Sequence, residues 1–219
     1  MLASGRGSNL QAILDAIAAG TLEARVAGVF SDRRRAVALE RAAQAGIPAT
    51  AVQPRLFPDR AAYDAELFAR IDAIAPDLIV CAGYMRLLGA AVVSPRAGRI
   101  INIHPSLLPA HKGLYTHQQA LDGAADEHGA SVHFVTAELD GGPVIAQAAV
   151  PVLADDDAER LAMRVLTREH PLLLATLQLF AQRRVALHDA TVHLDGAALA
   201  APLRLDSDNA LHPPHTPTH

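Results

Sequence analysis

The stretch Arg99-Ile100-Ile101-Asn102-Ile103-His104-Pro105-Ser106-Leu107-Leu108-Pro109 decides the fold. Isoleucine at 100, 101 and 103 reads as a buried strand. Asn102 and His104 stand two positions apart, so on a strand both point to the same side. Pro105 and Pro109 end regular structure just beyond them. An amide and an imidazole are thereby fixed side by side where a strand gives way to a loop. Ligand sites of α/β sheets gather at that edge. An Asn donor beside a His able to carry a proton suits a developing oxyanion.

Outward from this strand the chain alternates. Residues 10–19 carry a helical stripe of Leu10, Ile13, Leu14 and Ile17. Residues 25–30 read as a short strand, and 34–45 as an Ala-rich helix closed by Gly46 and Pro48. A further helix is expected over 61–74 and a continuous buried strand over 77–84. Continuous apolar strands separated by helices imply a Rossmann-like, three-layer α/β fold with a mostly parallel central sheet. Beyond residue 130 the pattern changes. Residues 130–135 and part of 144–152 alternate, so antiparallel strands should extend the same sheet. Residues 155–179 predict one long amphipathic helix with a kink or break at Pro171, and 185–188 a small terminal strand. Residues 206–219, with three prolines and little apolar content, predict a disordered tail.

Composition narrows the function. The 219 residues suffice for a substantial core; they are 51% hydrophobic but only 4% aromatic, so Ala, Leu, Val and Ile must build it. A net charge of −4 excludes a basic nucleic-acid footprint and leaves small anions as ligands. One cysteine, Cys81, excludes an internal disulfide framework and reads as inert core in a reducing compartment. The chain has no apolar run of membrane-spanning length and no leader pattern, so a cytoplasmic protein without membrane partners is expected. No Cys/His cluster has metal-ligand spacing, so no metal is expected.

Two further motifs carry chemistry. Ser4-Gly5-Arg6-Gly7-Ser8-Asn9 runs straight into the first helix, where free N–H groups and the dipole favour an anion. By itself it reads equally as a phosphate cradle or a tight turn. Only Met1-Leu2-Ala3 precedes it, short for a central strand, and the expectation is that Met1 replaces an internal residue of a longer strand. Glu138-Leu139-Asp140-Gly141-Gly142-Pro143 sets acids beside a Gly-Gly turn, and taken alone reads first as a hairpin turn. His133 is expected to be structural or to support the site from behind it, and His117 to lie in a mobile loop over the site or at the surface.

Together these motifs resemble the phosphoribosylglycinamide formyltransferase family. The resemblance is carried by residues 4–13, 82–88, 102–109, 128–135 and 139–145 and spans nearly the whole chain. It implies a single formyltransferase domain over 1–200, with a nucleotide-binding half (1–98) and a catalytic and folate-binding half (99–200). It implies formyl transfer from 10-formyltetrahydrofolate, as co-substrate, to a phosphorylated glycinamide acceptor. Asn102, His104 and Asp140 match the family's catalytic trio. Gly7, Ser8, Asn9, Leu10, Gln11 and Glu169 match positions that hold the ribonucleotide. Arg60, Met85, Arg86, Leu87 and Leu88, with Asn102, Thr136, Ala137, Glu138, Leu139 and Asp140, match the folate site. Small-molecule substrates are expected, for a monomer or a homodimer. Rivals are a formyltetrahydrofolate hydrolase using the same trio, and a silent nucleotide-binding module. Ala137 departs from the family, where an acid is common, and Pro171-Leu172 replaces an aromatic-proline pair.

Overall fold

Leu2 shows how a short N-terminal segment serves as a strand. It is fully buried and forms parallel bridges to Phe30 on one side and Cys81 on the other. The N–H of Leu2 donates to Val80, that of Ala82 to Leu2, and that of Ala3 to Phe30. Backbone partners on both sides thus give Met1-Leu2-Ala3 the pairing of a central strand.

The computed structural model describes residues 1–214. They fall into two compact units: Met1–Asn102 with Val135–Glu138, and Ile103–Phe134 with the chain from Leu139 on. The first contains α1 (Ser8–Ala18), β1 (Val29–Ser31), α2 (Val37–Gln44), β2 (Ala49–Ala51), α3 (Arg60–Asp72), β3 (Ile79–Ala82) and α4 (Ala90–Val93). β4 (Ile100–His104) carries the chain from the first unit into the second. β1 and β2 pair in parallel, and β3 neighbours β4. Leu2, Phe30, Leu67, Phe68, Ile79 and Ile100 are among the residues of one buried cluster.

The second unit contains α5 (Thr116–Asp122), β5 (Glu127–Phe134), β6 (Val144–Pro151), α6 (Ala158–Ala181), β7 (Val185–His188), β8 (Thr191–Leu194), β9 (Ala197–Ala198), β10 (Leu203–Leu205) and β11 (Leu211–His212). β5 and β6 are antiparallel with an irregularity at Val132/His133, β6 and β10 are parallel, and β10 and β11 antiparallel. β7, β8 and β9 form a separate three-stranded sheet, larger than the single terminal strand expected. The architecture is the Rossmann-like α/β fold read from the sequence, with antiparallel strands added after a parallel first half.

Several boundaries differ from expectation. The strand expected over 25–30 starts only at Val29. α2 starts at Val37 because Ala36 is extended, and residues 32–35 form turns held by Ser31 Oγ and the Arg33 carbonyl. α6 runs unbroken through Pro171: Leu161 and Val165 before it and Leu172, Leu173 and Leu177 after it are buried, so packing outweighs the lost backbone bond. Where the sequence predicts a disordered tail, residues 206–214 are ordered. Asp206 Oδ1 accepts from the N–H groups of Asp208 and Ala210, and Arg168 donates to Asn209, which closes the β10–β11 hairpin. Residues 215–219 of that prediction lie outside the described residues. Among the described residues no helix is long and apolar enough to cross a membrane.

Candidate active site

β4 positions the first pair. Its buried residues flank a half-buried Asn102, and alternation puts Asn102 and His104 on the same side of the strand. His104 is buried, and its Nε2 donates to the carbonyl of His111 at 3.0 Å. A carbonyl can only accept, so Nε2 carries a hydrogen. The neutral ring then presents the bare Nδ1, which lies 3.6 Å from Asp140 Oδ2. A proton added there converts the contact to an ion pair.

Asp140 is held in place from two sides. Gly113 N–H donates to its Oδ2 at 2.9 Å, and its backbone adopts φ 45°, a left-handed conformation that Asp tolerates. His133 Nε2 lies 3.7 Å from its Oδ1. His133 Nδ1 donates to the carbonyl of Phe134 at 2.9 Å, and burial lowers the His133 pKa, with Asp140 opposing. A neutral His133 therefore turns an acceptor nitrogen toward an acceptor oxygen, a gap that a water or amine hydrogen donor could bridge.

The loop after His104 is fixed from beneath. Ser131 Oγ donates to the Ser106 carbonyl and accepts from the Leu108 N–H, while Gln147 Nε2 donates to the Leu108 carbonyl and to Ser131 Oγ. Nothing in the local sequence of the loop announces these partners, which come from β5 and β6. Beside it stand His111, His117 and His128. His117 Nδ1 meets His128 Nε2 at 3.1 Å, and the His111 and His128 rings pack edge to face. Burial, then the neighbouring His117, His111 and His104, push His128 down to about 4; burial also lowers His117. His117 thus belongs to α5 and packs on His128, rather than lying simply at the surface.

In the first unit, Gly7 adopts φ 69° as the cap of α1. The first intrahelical bond runs from Gln11 N–H to Gly7, so the N–H groups of Ser8, Asn9 and Leu10 have no acceptor within the helix. Asn9 is buried and its Oδ1 lacks a partner. Leu10 is wholly buried, so its side chain belongs to the core and only its backbone can face a ligand. Gln11 is engaged by Arg41 and Asp15. Ser4 links this loop to the next: its Oγ accepts from Met85 N–H and its N–H donates to Gly83.

Met85 and Leu87 are exposed, Arg86 lies over the Tyr63 ring, and Leu88 is buried in the core. Sequence reading missed the buried Tyr63–Tyr84 hydroxyl contact at 2.6 Å, which pins this segment to α3. Arg60 pairs with Asp64, whose Oδ2 also accepts from Gly89 N–H. Ala137, Glu138 and Leu139 are exposed, and Thr136 is half-buried. Glu169 lies on α6, half-buried. Cys81 is buried, which pushes its thiol up to about 12. Among the described residues no group of three or more His, Cys, Asp and Glu could hold a metal.

Comparison with known proteins fits this geometry. The sequence pattern described as "Formyl transferase" matches residues 1–177. Phosphoribosylglycinamide formyltransferase of Escherichia coli is 51% identical over 91% of this chain and 94% of its own. The structure of phosphoribosylglycinamide formyltransferase from Coxiella burnetii superposes with a TM-score of 0.88 at 47% identity, covering 91% of this chain and 93% of that one. A formyltetrahydrofolate deformylase from Pseudomonas syringae is more distant: TM-score 0.80, 28% identity, 88% of this chain and 64% of that one. The fold and the matched family define a formyl transferase, and the chain belongs within that family to the phosphoribosylglycinamide formyltransferases.

Proposed function

We propose that this protein moves the formyl group of 10-formyltetrahydrofolate to the amino group of 5′-phosphoribosylglycinamide, yielding N-formylglycinamide ribonucleotide and tetrahydrofolate for purine synthesis. The observation that carries the chemistry is the His104–Asp140 pair at the end of β4, two residues past Asn102. A formamide carbon attacked by a neutral amine places negative charge on its oxygen. The Asn102 amide donates to that oxygen, and His104 Nε2–H does so once it leaves the His111 carbonyl. Asp140 Oδ2, 3.6 Å from His104 Nδ1, is placed to accept a hydrogen bond from that nitrogen and to orient the ring.

One proton must leave the attacking amine and one must reach N10 as its bond to the formyl carbon breaks. A water held between Asp140 Oδ1 and His133 Nε2 would take the first, and His104 would supply the second. No covalent enzyme intermediate is needed. Gly7, Ser8, Asn9 and the Leu10 N–H hold the phosphate, with Gln11 and Glu169 toward the ribonucleotide. Met85, Arg86, Leu87 and residues 136–140 hold the folate; Leu88 supports them from the core, and Arg60 meets the glutamate tail. A lone buried cysteine supports a cytoplasmic setting.

Turnover of 10-formyltetrahydrofolate is the test, with and without phosphoribosylglycinamide. Tetrahydrofolate release that depends on the acceptor supports transfer. Equal release without it would make the protein a hydrolase, and no release would make it a silent module.

A further inference from the structure

We propose that Arg33, Arg34 and Arg35, with Arg6, form a basic collar that draws phosphomonoester dianions to the Gly7-Ser8-Asn9 loop. The idea rests on the phosphate role given to that loop above. The backbone places the arginines beside it. Leu2 and Phe30 are in parallel register, so the chain leaves the same sheet edge after Ala3 and again after Ser31. The two departing segments then meet: Ala38 N–H donates to Gly5 at 3.1 Å, and Arg41 Nε donates to the Arg6 carbonyl at 2.9 Å. A Cβ on Gly7 would stand 2.8 Å from Ala38 Cα. The first turns of α2 therefore lie against residues 5–7, and residues 32–36 form the turn that leads into that contact.

Arg6, Arg33, Arg34 and Arg35 are all exposed. None appears in an ion pair among the described residues, whereas Arg60, Arg70, Arg96, Arg160, Arg164 and Arg184 do. Arg41 is also engaged only by neutral groups, the Arg6 carbonyl and Gln11 Oε1. A chain of net charge −4 thus gathers four exposed arginines, none ion-paired among the described residues and with Asp32 as the one acid in their turn, near its phosphate loop. Such a local field raises the concentration of an oppositely charged ligand at the site and yields to salt. The arginines need make no fixed contact with the bound phosphate. Their exposure favours action through the field.

The test is titration of ribose 5-phosphate into the full chain by calorimetry, comparing wild type, R33Q/R34Q/R35Q and R25Q/R99Q. Arg25 and Arg99 are exposed at the opposite edge, before β1 and β4, and removing their two charges, against three in the triple variant, shows the effect of losing positive charge away from the loop. At about 0.01 M ionic strength, where screening extends to about 30 Å, the triple variant should bind about 3–10-fold more weakly. At about 1 M, where it shrinks to about 3 Å, the difference should fall below about twofold. The control should stay within about twofold of wild type throughout. The collar is overturned by wild-type affinity in the triple variant, an equal loss in the control, a deficit that persists at high salt, or no wild-type binding at all. The expected salt pattern in a protein that fails to transfer formyl groups would support the collar and sink the reaction instead.

Discussion

Acidification should destabilise this protein through His128, and the size of the effect follows from its surroundings. The side chain is fully buried and its pKa falls from 6.5 to about 4, first from burial and then from His117, His111 and His104. Protonating both His128 and His117 would set two N–H donors against each other across 3.1 Å. The folded pKa lies below the unfolded one, so the unfolded chain takes up the proton first. Stability is therefore complete above about pH 6.5 and is lost as pH falls toward 4. The full interval corresponds to about 3 kcal/mol, of which about 2 kcal/mol is gone at pH 5. Urea unfolding from pH 7.5 to 4.5 measures it, with His128→Gln as comparison. The variant should start less stable but lose about 2 kcal/mol less on going to pH 5. Parallel decline of the two proteins over that range would refute the reasoning.

Other consequences concern the site itself. Asn102→Ala and Asp140→Asn should each lower kcat by about 10²–10³ while circular dichroism stays native, since Asn also tolerates the left-handed backbone at 140; near-normal turnover in either would remove that residue from the mechanism. Gly7→Ala places a methyl 2.8 Å from Ala38 at φ 69°, so KM for the ribonucleotide should rise about tenfold with little change for the folate, and an unchanged KM would deny the loop its phosphate role. Ser131→Ala strands the Leu108 N–H and deprives Gln147 of a partner, which should cost about 1–3 kcal/mol in denaturant unfolding. Wild-type stability there would mean that the 105–109 loop is held by something else.

What could be read in advance was whatever lies in neighbouring residues. Three isoleucines marked β4, and the spacing of Asn102 and His104 fixed their common side. The glycines at 5 and 7 marked a special turn. What could not be read was contact across the chain. The His111 carbonyl that engages His104 and the Gly113 N–H that holds Asp140 are backbone groups, carrying no residue-type signal. The Ser131–Gln147 support is two ordinary polar residues until β5 and β6 face the loop. Composition misled at the C-terminus, where prolines hid a hairpin organised by Asp206 and by Arg168 from α6. At Pro171 the helix does not break, because local propensity yields to burial on both sides of the proline.

The placing of two imidazoles beside one carboxylate poses a question of proton ownership. His104 and His133 both approach Asp140, at 3.6 and 3.7 Å, on different oxygens. Were both to compete for charge, Asp140 would divide its influence and neither ring would have a defined state. Their backbone partners separate them. His133 gives its Nδ1 hydrogen to Phe134, and burial holds the ring neutral at physiological pH, so its Nε2 remains an acceptor. His104 gives its Nε2 hydrogen to His111, leaving Nδ1 facing Asp140 Oδ2. One ring is thereby fitted to receive a hydrogen bond and the other to donate through Nε2. The proposed mechanism uses that division, with the amine losing a proton on one side while the oxyanion is stabilised on the other.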